Sequence, residues 1–218
     1  MNDQTPSSIR LADYRPPAWL VGRIDLDFRL APEDTHVTAT MAVRANPSVA
    51  RPGPLRLDGD GLTLDSVEID GMKLAPGDYG TDANGLTIPM PPQSRFRLTV
   101  RNRINPAINT KLMGLYRTGG IYCTQCEAEG FRKITYYPDR PDVMARFHVR
   151  IESDLPVLLS NGNPAGQGPG WAEWHDPWPK PAYLFALVAG DLVALPDHFL
   201  TASGREVALN IWVRAGDE

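Results

Sequence analysis

The stretch VGRIDLDFRL (residues 21–30) constrains the fold of this chain most strongly. Ile24, Leu26, Phe28 and Leu30 share one face of an extended segment, and Asp25, Asp27 and Arg29 share the other. A period of two marks a strand with one dry and one wet face, because successive side chains of a strand point to opposite sides. The pattern returns in HVTATMAVRA (36–45), and the turn-forming APEDT (31–35) joins the two runs into a hairpin. Further runs follow at 55–59, 62–71, 86–90 and 95–104, separated by GDG, PGDYG and ANG, all of them turn chemistry. Segments 121–126, 132–137, 145–153, 156–160, 183–195 and 206–214 also read as strands. PDVMAR (141–146) suits a single helical turn opening on Pro141. No 3.6-residue periodicity runs beyond about two turns. Pro (21) and Gly (19) make up about 18% of the 218 residues, which suits many strands joined by turns. The expected fold is all-β, a multi-strand sandwich or curved sheet.

Charge and hydropathy narrow the function classes. A net charge of −4 offers no basic footprint for nucleic acid or an anionic membrane. The longest apolar run, YLFALVAG (183–190), is too short to span a bilayer. Two cysteines and an N-terminus without an apolar core point to a reducing cytoplasm.

Chemistry-bearing residues concentrate in CTQCEAEGFRKITYYPDRPD (123–142). Cys123 and Cys126 form C-x-x-C, but a structural zinc needs four ligands and no second pair occurs. A redox pair would open a helix, and none follows. The cysteines therefore read as small packing groups, with a redox or zinc role as the alternative. On an extended segment Glu127 and Glu129 would face the same side, about 7 Å apart, a separation that suits paired carboxylates. Such a pair is more often a solvated face, yet Gln125, Tyr136, Tyr137, Arg132 and Asp139 crowd around it. Trp171, Trp174 and Trp178 form a second cluster, either packing or a stacking platform for carbohydrate. GQGPG (166–170) precedes no helix and is a poor phosphate loop. No G-x-S-x-G or H-E-x-x-H occurs, so no complete catalytic set and no metal site is expected in this chain.

From residue 123 to 147 the sequence resembles the bacterial type of aminopeptidase N, a family of zinc metalloaminopeptidases with H-E-x-x-H and G-A-M-E-N motifs. The likeness continues at LLSNGN (158–163), at W-x-x-W-H-D-P-W-P-K-P-A-Y-L-F-A-L-V-A-G-D (171–191) and at SGREVAL (203–209), and reaches back to about Tyr14 through INPAINTKLMGLYRTGG (104–120). The resemblance implies a saddle-shaped N-terminal β domain over residues 14–214, a flexible arm at 1–13, and at 215–218 the start of a junction to a thermolysin-like catalytic domain. It implies that the zinc ligands, the catalytic Glu and the G-A-M-E-N strand lie in that second domain. By position, Glu127 would bind the substrate α-ammonium, and Gln125 would line the same pocket against the first residue of the peptide. Glu129, Tyr136 and Tyr137 would shape or support the segment. Zn2+ would be the cofactor of the full-length enzyme, peptides with a free N-terminus its substrates, and basic and apolar first residues its preference.

Overall fold

In the computed structural model, which describes residues 10–218, seventeen strands form four sheets. The strands are β1 (Trp19–Arg29), β2 (Thr35–Ala45), β3 (Leu55–Asp58), β4 (Thr63–Ile69), β5 (Met72–Lys73), β6 (Gly80–Asp82), β7 (Gly85–Ile88), β8 (Phe96–Ile104) and β9 (Gly114–Thr118). They continue as β10 (Ile121–Gln125), β11 (Met144–Glu152), β12 (Val157–Ser160), β13 (Asn163–Gly168), β14 (Trp171–Pro181), β15 (Leu187–Gly190), β16 (Val193–Leu200) and β17 (Glu206–Val213). The all-β expectation holds. Of the anticipated arm, residues 1–9 lie outside the described residues, and Leu11–Asp13 form one 3-10 turn.

The largest sheet has eight strands in the order β13-β14-β11-β1-β2-β8-β4-β5. The alternation of β1 and β2 is borne out: Ile24, Leu26, Phe28, Val37, Ala39, Met41 and Val43 are all buried. These side chains share one continuous core with Leu55, Leu57, Leu86 and Ile88 of the β3-β7-β6 sheet. Leu115, Tyr122, Leu187 and Ala189 of the β12-β15-β10-β9 sheet join the same core. Within the big sheet β1 and β11 run parallel, which brings residues 23–29 beside 146–152. A parallel neighbour needs a long crossover, and here residues 30–143 supply it. β16 and β17 pair with each other and leave Phe199 and Ile211 exposed.

Three sequence expectations give way. Residues 132–137 are not a strand: a 3-10 turn spans Phe131–Lys133 and irregular backbone follows. That backbone spends its hydrogen bonds elsewhere. Ile134 N–H donates to Phe131 O (2.9 Å), buried Asn102 donates its Nδ2 to Ile134 O (2.9 Å), and Thr135 Oγ1 donates to Asn102 Oδ1 (2.8 Å). The 141–146 stretch is a short turn leading into β11 and not a helical turn. The long apolar run 183–195 is divided between a 3-10 turn at Ala182–Leu184, β15 and the start of β16.

Candidate functional site

The β9–β10 hairpin delivers the segment singled out in the sequence to the surface. Gln125 pairs with Gly114 at its end. On its other edge β10 pairs with β15 through Tyr122 and Cys123, and there the ladder stops. Thr124 continues it with its side chain: Oγ1 accepts from Leu187 N–H (2.8 Å) and donates to Leu187 O (3.2 Å). Cys126 turns inward and is buried, while Gln125 and Glu127 on either side of it are exposed.

The extended arrangement of Glu127 and Glu129 is not what forms. Residues 127–130 make a turn, closed by Gly130 N–H donating to Cys126 O (2.8 Å). Gly130 is required there, because a Cβ would lie 2.3 Å from Gln125 O and 2.7 Å from Cys126 Cα. The Glu127–Ala128 peptide bond in this turn is cis. Beyond it Phe131 enters the core and meets Tyr137, Phe147 and Phe185 edge to face, with centroids 5.2–5.9 Å apart. The turn is therefore held at one end by a strand ladder and at the other by an aromatic anchor.

Next to the anchor, Arg132 donates Nε and its backbone N–H to Asp139 Oδ2 (both 3.1 Å) and its other guanidinium arm to Asp139 O (3.1 Å). The same guanidinium pairs with Glu129 (3.2 Å). Asp139 N–H in turn donates to Asp58 Oδ2 (2.9 Å), and Lys133 pairs with Asp60. Burial pushes the Asp139 carboxyl above the ordinary range, with the Arg132 bonds pulling the other way. The two glutamates thus part company. Glu129 belongs to the Arg132 cluster, at the rim of a cavity of about 420 Å³ that Asp139, Arg140 and Trp19 also line. Glu127 stands in the open turn, with no ion-pair or side-chain hydrogen-bond partner among the described residues.

Tyr136 and Tyr137 are buried behind this surface. The Tyr136 ring fills the space over Gly59, where a Cβ would come within 2.5 Å. Tyr137 bonds both its backbone groups to Asp58, at 2.8 and 3.1 Å. The network of Asp58, Asn102 and Thr124 was not legible in the sequence. Each is distant along the chain from the turn it braces or stands as an ordinary strand residue, so no local pattern marks it.

Cys126 sits on the inner side of the segment, and Cys123 is half-buried in β10. Burial, reinforced by the Asp139 charge, pushes the Cys126 thiol up to about 12, and burial raises Cys123 as well. Both are reduced, and no group of three or more metal-ligating side chains occurs among the described residues. A thiol held protonated is a poor nucleophile. Cys126 is thus expected to resist iodoacetamide at about pH 8 in the native chain and to react promptly in denaturant. Native alkylation at the rate of a free thiol would show that the turn opens.

The tryptophans do not form one platform. In β14 Trp174 pairs with Val149, leans on the core and donates its indole N–H to Leu158 O (3.0 Å). Trp171 lies under the Arg150 guanidinium, 4.4 Å from the ring centroid, and Trp178 is 77% exposed.

Residues 21–184 match the Peptidase M1 N-terminal domain, and the chain belongs to that family. It is 52% identical to the aminopeptidase N of Caulobacter vibrioides over 99% of this chain and 26% of that protein. Against the aminopeptidase N of Escherichia coli it is 48% identical over 98% of this chain and 25% of that protein. The chain thus spans about a quarter of the length of these curated relatives. The crystal structure of Legionella pneumophila aminopeptidase A in complex with aspartic acid superposes with a TM-score of 0.88 at 34% identity, covering 95% of this chain and 25% of that one. An M1 zinc metallopeptidase from Deinococcus radiodurans shares the fold at a TM-score of 0.72 and 19% identity, over 92% of this chain and 48% of that one.

Proposed function

We propose that this chain is the substrate-recognition domain of a zinc-dependent aminopeptidase, and that Glu127 binds the free α-ammonium of the peptide. One observation carries the reading: an exposed, unpaired carboxylate on a turn braced on both sides, beside the exposed amide of Gln125. A carboxylate accepting from an ammonium forms a charge-assisted hydrogen bond, about twice as strong as a neutral one. Because the turn is pre-ordered, little entropy is lost on binding. A carboxylate fixed at one end of a cleft also sets how far the scissile bond lies from the reacting centre, so one residue is removed at a time. Gln125 lines the pocket of that first residue, Glu129 acts through Arg132, and Tyr136 and Tyr137 support the turn from behind. We place the recognition domain at residues 14–214, the junction to a catalytic domain at 215–218, and the parent enzyme in the cytoplasm.

No group of three or more His, Cys, Asp or Glu side chains that could hold a metal ion occurs among the described residues; in this reading the zinc is held by the catalytic domain of the parent enzyme. The 218-residue chain alone is expected to leave an alanyl-anilide uncleaved, and metal-dependent turnover by it would overturn the division of labour. In the full-length enzyme, Glu127→Ala is expected to lower kcat/KM for free-amine substrates by at least roughly tenfold, about 1.4 kcal/mol. Unchanged kinetics would remove Glu127 from the site.

A further inference from the structure

The outer face of the eight-stranded sheet carries a second feature that the aminopeptidase reading does not use. Its outward side chains line up in rows across β11, β1, β2 and β8. One row reads Arg150, Asp27, Thr38, Arg101, and the next reads Glu152, Arg29, His36, Arg103. In these rows each arginine meets an acid: Arg150 with Glu173 (2.9 Å), Arg101 with Glu68, Arg103 with Asp65 (3.0 Å), Arg29 with Glu152 (3.7 Å).

The row at the other end of the face breaks this rule. It reads Arg146, Arg23, Ala42, Arg97. Arg23 reaches into the neighbouring row for Asp25 (2.6 Å), a carboxylate already 3.5 Å from His148. Arg97 and Arg146 have no ion-pair partner among the described residues, and neither do Arg44 and Arg95 beside them. Like charges directly across a sheet repel. Arg23 and Arg146 are in register on adjacent strands, and the five arginines lining this end of the face outnumber its two carboxylates, Asp25 and Asp70, whose Oδ1 accepts from the Arg97 backbone N–H (2.8 Å), on a chain of net charge −4.

The row also lies in a groove of about 570 Å³. Its floor is low, because Gly22 and Ala42 present no long side chain between the arginines. From Arg146 to Arg97 is three strand spacings, about 14 Å at the backbone. Arg146 and Arg97 line the groove at the two ends of that span.

We propose that this groove binds a multiply charged phosphate compound, with Arg146 on one phosphate group and Arg97 on another. Unpartnered arginines at both ends of the groove call for a ligand with more than one negative charge. A phosphate group supplies nearly two on three acceptor oxygens, where a carboxylate supplies one on two. The planar fork of arginine matches phosphate bidentately.

The probe is tripolyphosphate, titrated calorimetrically into the 218-residue chain at about 0.05 M salt, where screening is modest. Saturable one-site binding is expected. The double variant Arg97→Gln/Arg146→Gln should weaken it by roughly tenfold or more, because charged hydrogen bonds are lost. Arg101→Gln, on the same face but already engaged by Glu68, should leave it within about twofold. All these side chains stand on the solvent face, so the variants are expected to keep the wild-type Tm, and binding is read on folded protein. Absence of saturable binding to the wild type, or equal binding by the double variant, overturns the proposal. Hexaglutamate binding as tightly as tripolyphosphate would assign the groove to acidic peptides and overturn the phosphate class.

Discussion

Phe131→Ala is expected to lower the unfolding free energy of this chain by about 4 kcal/mol, the largest effect of a single truncation near the candidate site. Phe131 is completely buried, and its ring meets three others edge to face. Truncation removes the transfer free energy of the ring and leaves a cavity whose walls come from three different segments: Phe147 from β11, Phe185 from the loop before β15, and Tyr137. Walls drawn from separate segments cannot all collapse inward, so the cavity term stays near its upper range. The same residue ends the turn that carries Glu127, so loss of stability and loss of the amine site should travel together. Denaturant unfolding with an unchanged m-value checks the first part. A loss under about 1.5 kcal/mol would mean that the aromatic cluster repacks around the gap.

Arg132→Met should cost about 3 kcal/mol near neutral pH, for an electrostatic reason instead of a packing one. Asp139 is almost wholly buried, with 3% of its side chain exposed, and Arg132 donates three hydrogen bonds to its carboxylate and carbonyl. Methionine keeps the volume and the backbone bond and removes the charge. The Asp139 carboxyl is already pushed up by burial, and Arg132 is the main group opposing that push. Without it the folded pKa rises further above the unfolded one. An acid whose folded pKa is raised holds its proton more tightly when folded, so stability falls as pH rises between the two values. The deficit of Arg132→Met is therefore expected to be smaller at about pH 5 than at about pH 7. A deficit independent of pH would trace the loss to packing, and one larger in acid would contradict the assignment of the charge.

Glu129 shows how far local pattern reaches. Its i,i+2 relation to Glu127 is real in the sequence, but the relation carries meaning only if the segment stays extended. The segment does not, because Gly130 bonds back to Cys126 and Phe131 drops into the core. The packing role of Cys126 was legible as that of a small apolar group, whereas its inward turn between exposed Gln125 and Glu127 falls beyond the end of β10 and was not. The 132–137 stretch fails in the opposite sense. Ile134, Tyr136 and Tyr137 look like strand residues and are buried like them, yet only Tyr137 meets a strand, in an isolated bridge to Asp58 of β3, and the Asn102 side chain takes the Ile134 carbonyl.

The all-β class, most of the long strands and the inward faces of β1 and β2 were decided within the sequence. These are local matters: the two-residue period and the turn residues act within a few positions of themselves. Only the tertiary structure decided which strands lie side by side. The parallel pairing of β1 with β11 sets residues 23 and 146 in register across more than a hundred positions. That pairing makes a row of arginines out of residues that look unrelated in the sequence. It is settled by how the dry faces close on one core, and the charges on the wet face inherit their neighbours from that packing.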